Sequence, residues 1–179
     1  MLERYKKFLE EFDKQLAEYF DEHKQFLCCQ KGCTDCCEIG DYPFSRLEAE
    51  YIMSGYLTLP PEKQQLVKQN ISNLKTVQKN QMYKCPFLDE KECILYKYRG
   101  IVCRTFGLAY LDNGKVKLPE CANFGLNYSQ IYDLKNHTIT LENPITENLR
   151  TDEIFKSKLA QKYQLECGEI RPLKDWFNS

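Results

Sequence analysis

The sequence predicts an α+β fold, a small domain in which helices pack around an irregular, cysteine-rich centre together with a β-hairpin. Three observations predict it. Near the N-terminus, apolar residues recur at alternating spacings of three and four, as in an amphipathic helix. The middle of the chain carries closely spaced cysteines and turn formers in place of a regular period. Asn113-Gly114, between two short apolar runs, is the strongest short-range signal for a hairpin.

The N-terminal segment, residues 1–27, is predicted to be one amphipathic helix. Its apolar face consists of Leu2, Tyr5, Leu9, Phe12, Leu16 and Tyr19. We expect this face to cover the core of the domain itself, because large apolar groups left in water favour unwanted association. The alternative is that the face binds a protein partner.

Two further helices are predicted before the hairpin. Ser45 and Glu48 have the spacing of a capping box, so a helix should begin there and end near Gly55. Another should follow Pro60-Pro61, since proline is tolerated in a first turn. The other predicted elements are β-like pieces at Cys85–Leu88 and Cys93–Tyr96, hairpin strands at Phe106–Leu111 and Lys115–Leu118, and a helix from Thr151 to about Leu165. We expect a cysteine-cluster domain at 28–125 and a C-terminal helical extension at 126–179.

The amino-acid composition indicates the cellular compartment of the protein and the classes of partner that it is expected not to bind. The 25 Lys and Arg residues nearly balance the 26 Asp and Glu residues, so no net field would draw the chain to nucleic acid or membrane. The N-terminus lacks the apolar run of a secretory signal, and no stretch approaches the roughly 20 apolar residues of a membrane span. We therefore expect a cytoplasmic protein. In a reducing cytoplasm, ten cysteines are expected to be metal ligands or redox thiols rather than disulfides.

The cysteines form a constellation that suits soft metal ions. Eight are predicted to be ligands: Cys29, Cys33, Cys36, Cys37, Cys85, Cys93, Cys103 and Cys121. Eight thiolates suit two four-cysteine centres, and all-sulfur ligation selects zinc or an iron–sulfur cluster. The side chains of Cys36 and Cys37 should diverge along the backbone, so these two are expected to face different centres or to include one non-ligand. Because ligands arrive from distant segments, metal binding should be coupled to folding.

An iron–sulfur cluster is the favoured cofactor, with Zn2+ as the alternative. The compact Cys29-x3-Cys33-x2-Cys36 loop can hold three corners of a cubane while a fourth ligand arrives from the distant segment. Zinc sites more often use two close cysteine pairs, which the second half of the chain lacks.

These residues resemble a known family. The order Cys29-x3-Cys33-x2-Cys36-Cys37, then Cys85-x7-Cys93-x9-Cys103, is similar to that of the CxxCxxCC (YkgJ-type) cysteine-cluster family of zinc- or iron-chelating domains. Supporting matches are Cys85-Pro-Phe-Leu88, Cys93-Ile-Leu-Tyr96, Arg99 and Cys103-Arg-Thr-Phe106, and the resemblance covers about residues 28–125. It implies a metal- or cluster-binding domain. One related branch, the flagellin lysine N-methylases, implies methyl transfer to protein lysines. Gly100 departs from the family pattern, which usually has proline after the arginine.

Other candidate residues have less specific patterns. Arg99 and Arg104 flank Cys103 and are predicted to stabilise the bound cofactor by offsetting thiolate charge, or else to recognise an anionic substrate. His23 and His137 are expected to be surface histidines rather than ligands. Cys28 and Cys167 lie outside the family pattern and are expected to be dispensable. The cysteine spacing also occurs in radical S-adenosylmethionine enzymes, whose barrel needs a longer chain than this one.

Three functions stay open at this level. The favoured one is a metal-binding protein that holds an iron–sulfur cluster or zinc through cysteine thiolates. The second is an iron–sulfur-dependent protein-lysine N-methyltransferase. The third is a structural zinc module for protein–protein interaction, with the N-terminal helix as the binding surface.

Overall fold

The architecture was obtained from a computed structural model that describes residues 1–29, 33–38, 40–78, 81–133, 135–136, 138–142 and 144–177. The helices are α1 Leu2–Glu22, α2 Asp35–Glu38, α3 Arg46–Tyr56, α4 Pro61–Leu74, α5 Ile101–Thr105, α6 Thr151–Ile154 and α7 Lys158–Lys162. The strands are β1 Pro43–Ser45, β2 Leu88–Asp89, β3 Glu92–Cys93, β4 Tyr110–Asp112, β5 Lys115–Lys117, β6 Tyr132–Asp133, β7 Thr138–Ile139 and β8 Ile170–Pro172. Short 3-10 turns lie at Lys24–Phe26, Tyr96–Tyr98, Glu120–Phe124 and Leu173–Trp176.

The strands pair in antiparallel twos: β1 with β8, β2 with β3, β4 with β5, and β6 with β7. The β4–β5 hairpin turns at Asn113 and Gly114, both of which have positive φ, as the Asn-Gly signal predicted. The β1–β8 pair joins Phe44 to Arg171 and was not predicted. It fastens the C-terminal segment to the strand that leads into α3. Helices and small antiparallel pairs together confirm the α+β class.

Helix α1 lies against the body of the chain. Tyr5, Phe8, Phe12 and Leu16 are buried, and the Tyr5 ring meets Tyr51 of α3 edge-on, with the ring centroids 5.3 Å apart. The other buried members of this first apolar cluster are Leu9, Leu47, Ile101, Leu108, Ile145, Leu149, Ile154, Phe155 and Ala160. The apolar stripe of α1 therefore packs within the chain itself, as expected. Its burial gives no support to the alternative of a partner bound on that stripe.

A second apolar cluster lies beneath α3 and α4. Its buried members are Phe44, Ile52, Tyr56, Val67, Phe87, Leu95 and Leu173. Three cysteines, Cys85, Cys93 and Cys103, pack against it from one side. These three cysteines therefore lie against the apolar core and not in a loop separate from it.

The capping box of α3 is present as predicted. The Glu48 N–H donates to Ser45 Oγ over 3.2 Å, and the Ser45 N–H donates to Glu48 Oε2 over 2.8 Å. Helix α3 ends at Tyr56, one residue beyond Gly55, and α4 begins at Pro61. Both helices therefore follow from local signals that tertiary packing did not override.

Three local predictions were wrong. The predicted helix from Thr151 to Leu165 is two short helices, because Ser157 caps a new one by accepting from the Ala160 N–H over 3.2 Å. The predicted β-like pieces shrink to two residues each, and Tyr96–Tyr98 is a 3-10 turn. The first cysteine segment, expected to be irregular, contains the one-turn helix α2.

Among the described helices, none combines the length with the apolar composition that a membrane crossing requires.

Candidate metal centre

The eight cysteines predicted as ligands fall into two groups. The first, called here the deep group, comprises Cys36, Cys37, Cys85, Cys93 and Cys103. Four of them, all but Cys93, line one cavity of about 30 Å³. The other lining residues are Gly40, Tyr42, Phe44, Tyr83, Val102, Phe106 and Leu173. Thiols from three separate stretches of the chain therefore share one mostly apolar cavity.

Cys36 and Cys37 lie on the single turn of α2. Their sulfurs are 4.0 Å apart and both line the cavity. Since both thiols line one cavity, the structure gives no support to separate centres for Cys36 and Cys37, and the alternative that one of them is a non-ligand stays a prediction. The Cys85 N–H donates to the Cys37 carbonyl over 2.7 Å, so the second cysteine segment is joined directly to α2.

Cys93 and Cys103 reach the deep group from the following elements. Cys93 pairs with Leu88 in the β2–β3 ladder and packs on the second apolar cluster. Cys103 lies on α5, whose first N–H, that of Ile101, donates to Glu48 Oε1 over 2.7 Å. Glu48 is only 1% exposed. One carboxylate thus caps α3 and anchors α5, and through α5 it fixes the backbone of Cys103.

Sequence reasoning found Glu48 only as a capping residue. No sequence signal connects it to Ile101, which is 53 positions away. Gly100 belongs to the same contact, because a Cβ there would lie 2.7 Å from both Glu48 Oε1 and the Phe44 ring. The departure from proline at this position is therefore compatible with a close approach that a ring would obstruct.

The electrostatics of the deep group show that its thiols influence one another. Burial raises the pKa of Cys103, and the charges of Cys37 and Cys93 raise it further. Burial also raises the pKa of Cys85 and Cys93. The hydrogen bond between the Cys36 and Cys37 thiols raises the pKa of the first and lowers that of the second. The free thiols are thus held mainly protonated and close together.

Arg99 is the arginine beside these thiols. Its Nη1 donates to the Cys103 carbonyl over 3.2 Å, and its guanidinium lies 3.6 Å from the centre of the Tyr96 ring. Its charge works against burial by lowering the pKa of Cys93 and Cys103. The role of offsetting thiolate charge stays a prediction for Arg99, and this position is compatible with it.

Arg104 is placed elsewhere. Its guanidinium donates to Asp13 Oδ1 over 2.7 Å and to the carbonyls of Arg99 and Lys97 over 2.9 and 3.1 Å. Its side chain is 6% exposed. The prediction that Arg104 faces the cofactor is not supported, because its donors join α1 to the segment before α5.

The second set of thiols, called here the shallow group, comprises Cys29, Cys33 and Cys121. The Asn127 Nδ2 group donates to Cys29 Sγ over 3.0 Å. Burial raises the pKa of Cys121 to about 11, and the charges of Cys29 and Cys33 act on it as well. Cys33 Sγ lies 3.4 Å from Asp35 Oδ2, and the charge of Cys33 raises the pKa of both Cys121 and Cys36.

The remaining candidates are accounted for separately. His23 is 3% exposed and its Nδ1 lies 2.7 Å from the Tyr128 hydroxyl, so the expectation of a surface histidine was wrong. His137 lies outside the described residues. Cys28 is exposed, and the Cys167 thiol donates to the Gly168 carbonyl over 3.3 Å.

The donor set fits a thiophilic metal. All ten cysteines are free, and two sulfurs bound tetrahedrally to one zinc would lie about 3.8 Å apart, close to the 4.0 Å between Cys36 and Cys37. Among the described Cys, His, Asp and Glu residues, no three already have the mutual spacing of ligands to one ion. The thiols would therefore have to turn about their Cα–Cβ bonds to converge.

Comparison with known proteins agrees with this donor set. A family model named CxxCxxCC, described as a putative zinc- or iron-chelating domain, matches residues 28–142. No curated protein and no solved structure matches the chain at a significant level. The match extends over more than half of the chain and includes every cysteine of both groups. The chain belongs to the CxxCxxCC family.

Proposed function

We propose that this chain is a metal-binding protein whose deep group holds an iron–sulfur cluster through cysteine thiolates. The observation that carries the proposal is the convergence of Cys36, Cys37, Cys85 and Cys103 on one small cavity. Four thiols on one cavity are the ligand type that zinc and iron–sulfur clusters select. When bound, such a cluster would supply electron transfer or a Lewis-acidic iron.

Two features of the deep group favour a cluster over a single zinc ion. Its thiols come from four separate segments of the chain and not from two close pairs, which are the more usual arrangement at zinc. Cys85, Cys93 and Cys103 also pack against the second apolar cluster, and such an apolar shell restricts solvent access to a cluster. The 4.0 Å sulfur spacing of Cys36 and Cys37 also suits zinc, so zinc is the competing occupant.

Neither alternative function has a comparable observation behind it. Methyl transfer is implied only by the resemblance to a related branch of the family. An interaction module would need a free apolar face, whereas the stripe of α1 is buried in the first apolar cluster. We therefore propose cluster binding as the function.

The test is the metal content of the full chain purified without oxygen. We expect brown protein with broad visible absorption that bleaches with dithionite, containing iron and acid-labile sulfide. Cys103→Ser should lower the iron and sulfide content, whereas the matched control Cys167→Ser should leave both unchanged.

Two results would contradict the proposal in different ways. Colourless anaerobic protein that holds zinc and no acid-labile sulfide would replace the cluster with zinc. Protein with neither metal, in which both serine variants behave alike, would refute metal binding at the deep group.

A further inference from the structure

One buried residue, Asn127, forms hydrogen bonds beside the cysteines of the shallow group. Asn127 is 1% exposed, and all of its side-chain polar groups are used close to the cysteines. Its Oδ1 accepts from the Cys28 N–H over 2.7 Å, while Nδ2 donates to Cys29 Sγ over 3.0 Å and to the Gly107 carbonyl over 2.8 Å. This buried amide was not identified from the sequence.

The orientation of the amide is fixed by its partners. Turning the amide of Asn127 over would set Oδ1 against the Gly107 carbonyl and Nδ2 against the Cys28 N–H, so both hydrogen bonds would be lost. An N–H is therefore directed at the Cys29 sulfur. Such a hydrogen bond is stronger when the sulfur is charged, as it is in a metal-bound thiolate.

The backbone at Gly107 also leaves room for the Cys29 sulfur. Gly107 has φ +102°, and a Cβ at that position would lie 2.7 Å from Cys29 Sγ. Glycine thus leaves the space that the sulfur occupies. The Asn127 backbone N–H, in addition, forms a hydrogen bond with the Cys121 thiol. Asn127 consequently acts on two sulfurs, one through its side chain and one through its main chain.

We propose that Cys29, Cys33 and Cys121 form a second thiolate centre that takes one thiophilic divalent cation, with Asn127 as its positioning residue. Three thiolates leave a fourth coordination position for water or for the carboxylate of Asp35, which already lies 3.4 Å from Cys33 Sγ. This inference deepens the proposed function, because it rests on thiolates of the same chain binding metal. It assigns them a separate site and a separate supporting residue.

The test loads the full chain, reduced and free of oxygen, with 113Cd2+ and records its cadmium NMR spectrum. We expect two sulfur-ligated resonances. Cys121→Ser should remove one of them and Cys103→Ser the other. Cys28→Ser is the matched control, because Cys28 precedes Cys29 and is exposed, and it should remove neither.

The positioning role is tested by Asn127→Asp. Aspartate has nearly the same shape and still accepts from the Cys28 N–H, but it cannot donate to Cys29 Sγ. Competition with a chelator should show cadmium affinity at the shallow resonance lowered by about 10- to 100-fold, the usual effect of removing a hydrogen bond to a ligand. The deep resonance is the internal reference: an effect on folding alone would weaken both.

Each outcome decides between the proposals. Two resonances that Cys121→Ser leaves unchanged, or one resonance that both serine variants remove, would overturn the second centre. Equal affinity of the Asn127→Asp and unsubstituted chains would overturn the positioning role. If Cys103→Ser removes nothing while Cys121→Ser removes a resonance, the second centre stands and the deep-group function fails.

Discussion

Replacing Glu48 with alanine should destabilise the protein by about 2–4 kcal/mol. The carboxylate accepts from the Ser45 N–H, the Ser45 hydroxyl and the Ile101 N–H over 2.8, 2.7 and 2.7 Å. Loss of the helix cap costs about 1 kcal/mol, and each buried N–H left without a partner costs about 1–3 kcal/mol. Relief from burying a carboxylate offsets part of this sum.

Urea denaturation of the full chain at one fixed metal loading measures the effect. Glu50→Ala is the matched control, because Glu50 lies on the same helix and forms an exposed pair with Arg46 over 3.0 Å. Its loss should cost only about 0.3–0.5 kcal/mol. Equal unfolding free energies for the two variants would refute the conclusion that Glu48 holds α3 and α5 together.

The same carboxylate should make stability depend on pH. Burial raises the pKa of Glu48 in the folded state, so folding favours its protonated form. Its contribution is therefore full below the unfolded pKa and is lost as the pH rises through the folded value. Glu48→Gln should remove this fall, which pH-dependent urea curves would detect. An unchanged pH profile would show that other groups are responsible.

Three further predictions follow from the cysteine groups. Removing the metal should abolish the near-UV dichroism of the full chain, since binding energy at such a site is folding energy of order 10 kcal/mol; an unchanged cooperative melt would contradict this. Gly107→Ala should destabilise the protein more than Gly114→Ala in thermal melts, because both positions have positive φ but only the first lacks room, with Cys29 Sγ 2.7 Å from the added Cβ; equal losses would show that the close approach is unimportant. Cys167→Ser should leave metal content unchanged by elemental analysis, and the loss of one equivalent would enlarge the ligand set beyond both groups.

Local signals predicted those parts of the fold that local physics decides. The capping box at Ser45, the prolines at the start of α4 and the Asn113-Gly114 turn each depend only on residues within one turn of the chain, and each is present in the structure. The broken helix near Ser157 shows the limit of periodicity, because a second cap stops a pattern that otherwise continues. The β1–β8 pairing joins residues more than 120 positions apart and has no local signal.

The candidate site was predictable in its residue types and not in its grouping. Cysteine spacing identified the eight thiols, but spacing cannot tell that Cys36 and Cys37 face one cavity or that Cys29 turns to Asn127. These choices depend on a helical turn of four residues and on a buried amide that lies 98 positions from Cys29. Residues that support a cysteine from a distant part of the chain have no fixed sequence spacing from it, so only the structure identifies them.

The two arginines near Cys103 in the sequence, Arg99 and Arg104, have different surroundings in the structure, so their charges act on different groups. Arg104 faces Asp13 and backbone carbonyls, so its charge is offset away from the thiols. Arg99 brings one positive charge to a group of five thiols. One cation cannot balance several thiolates, and burial accordingly holds most of these thiols in the neutral form. The charge that allows them to ionise together must then arrive with the metal, whose binding would expel the protons and draw four segments of the chain onto one centre.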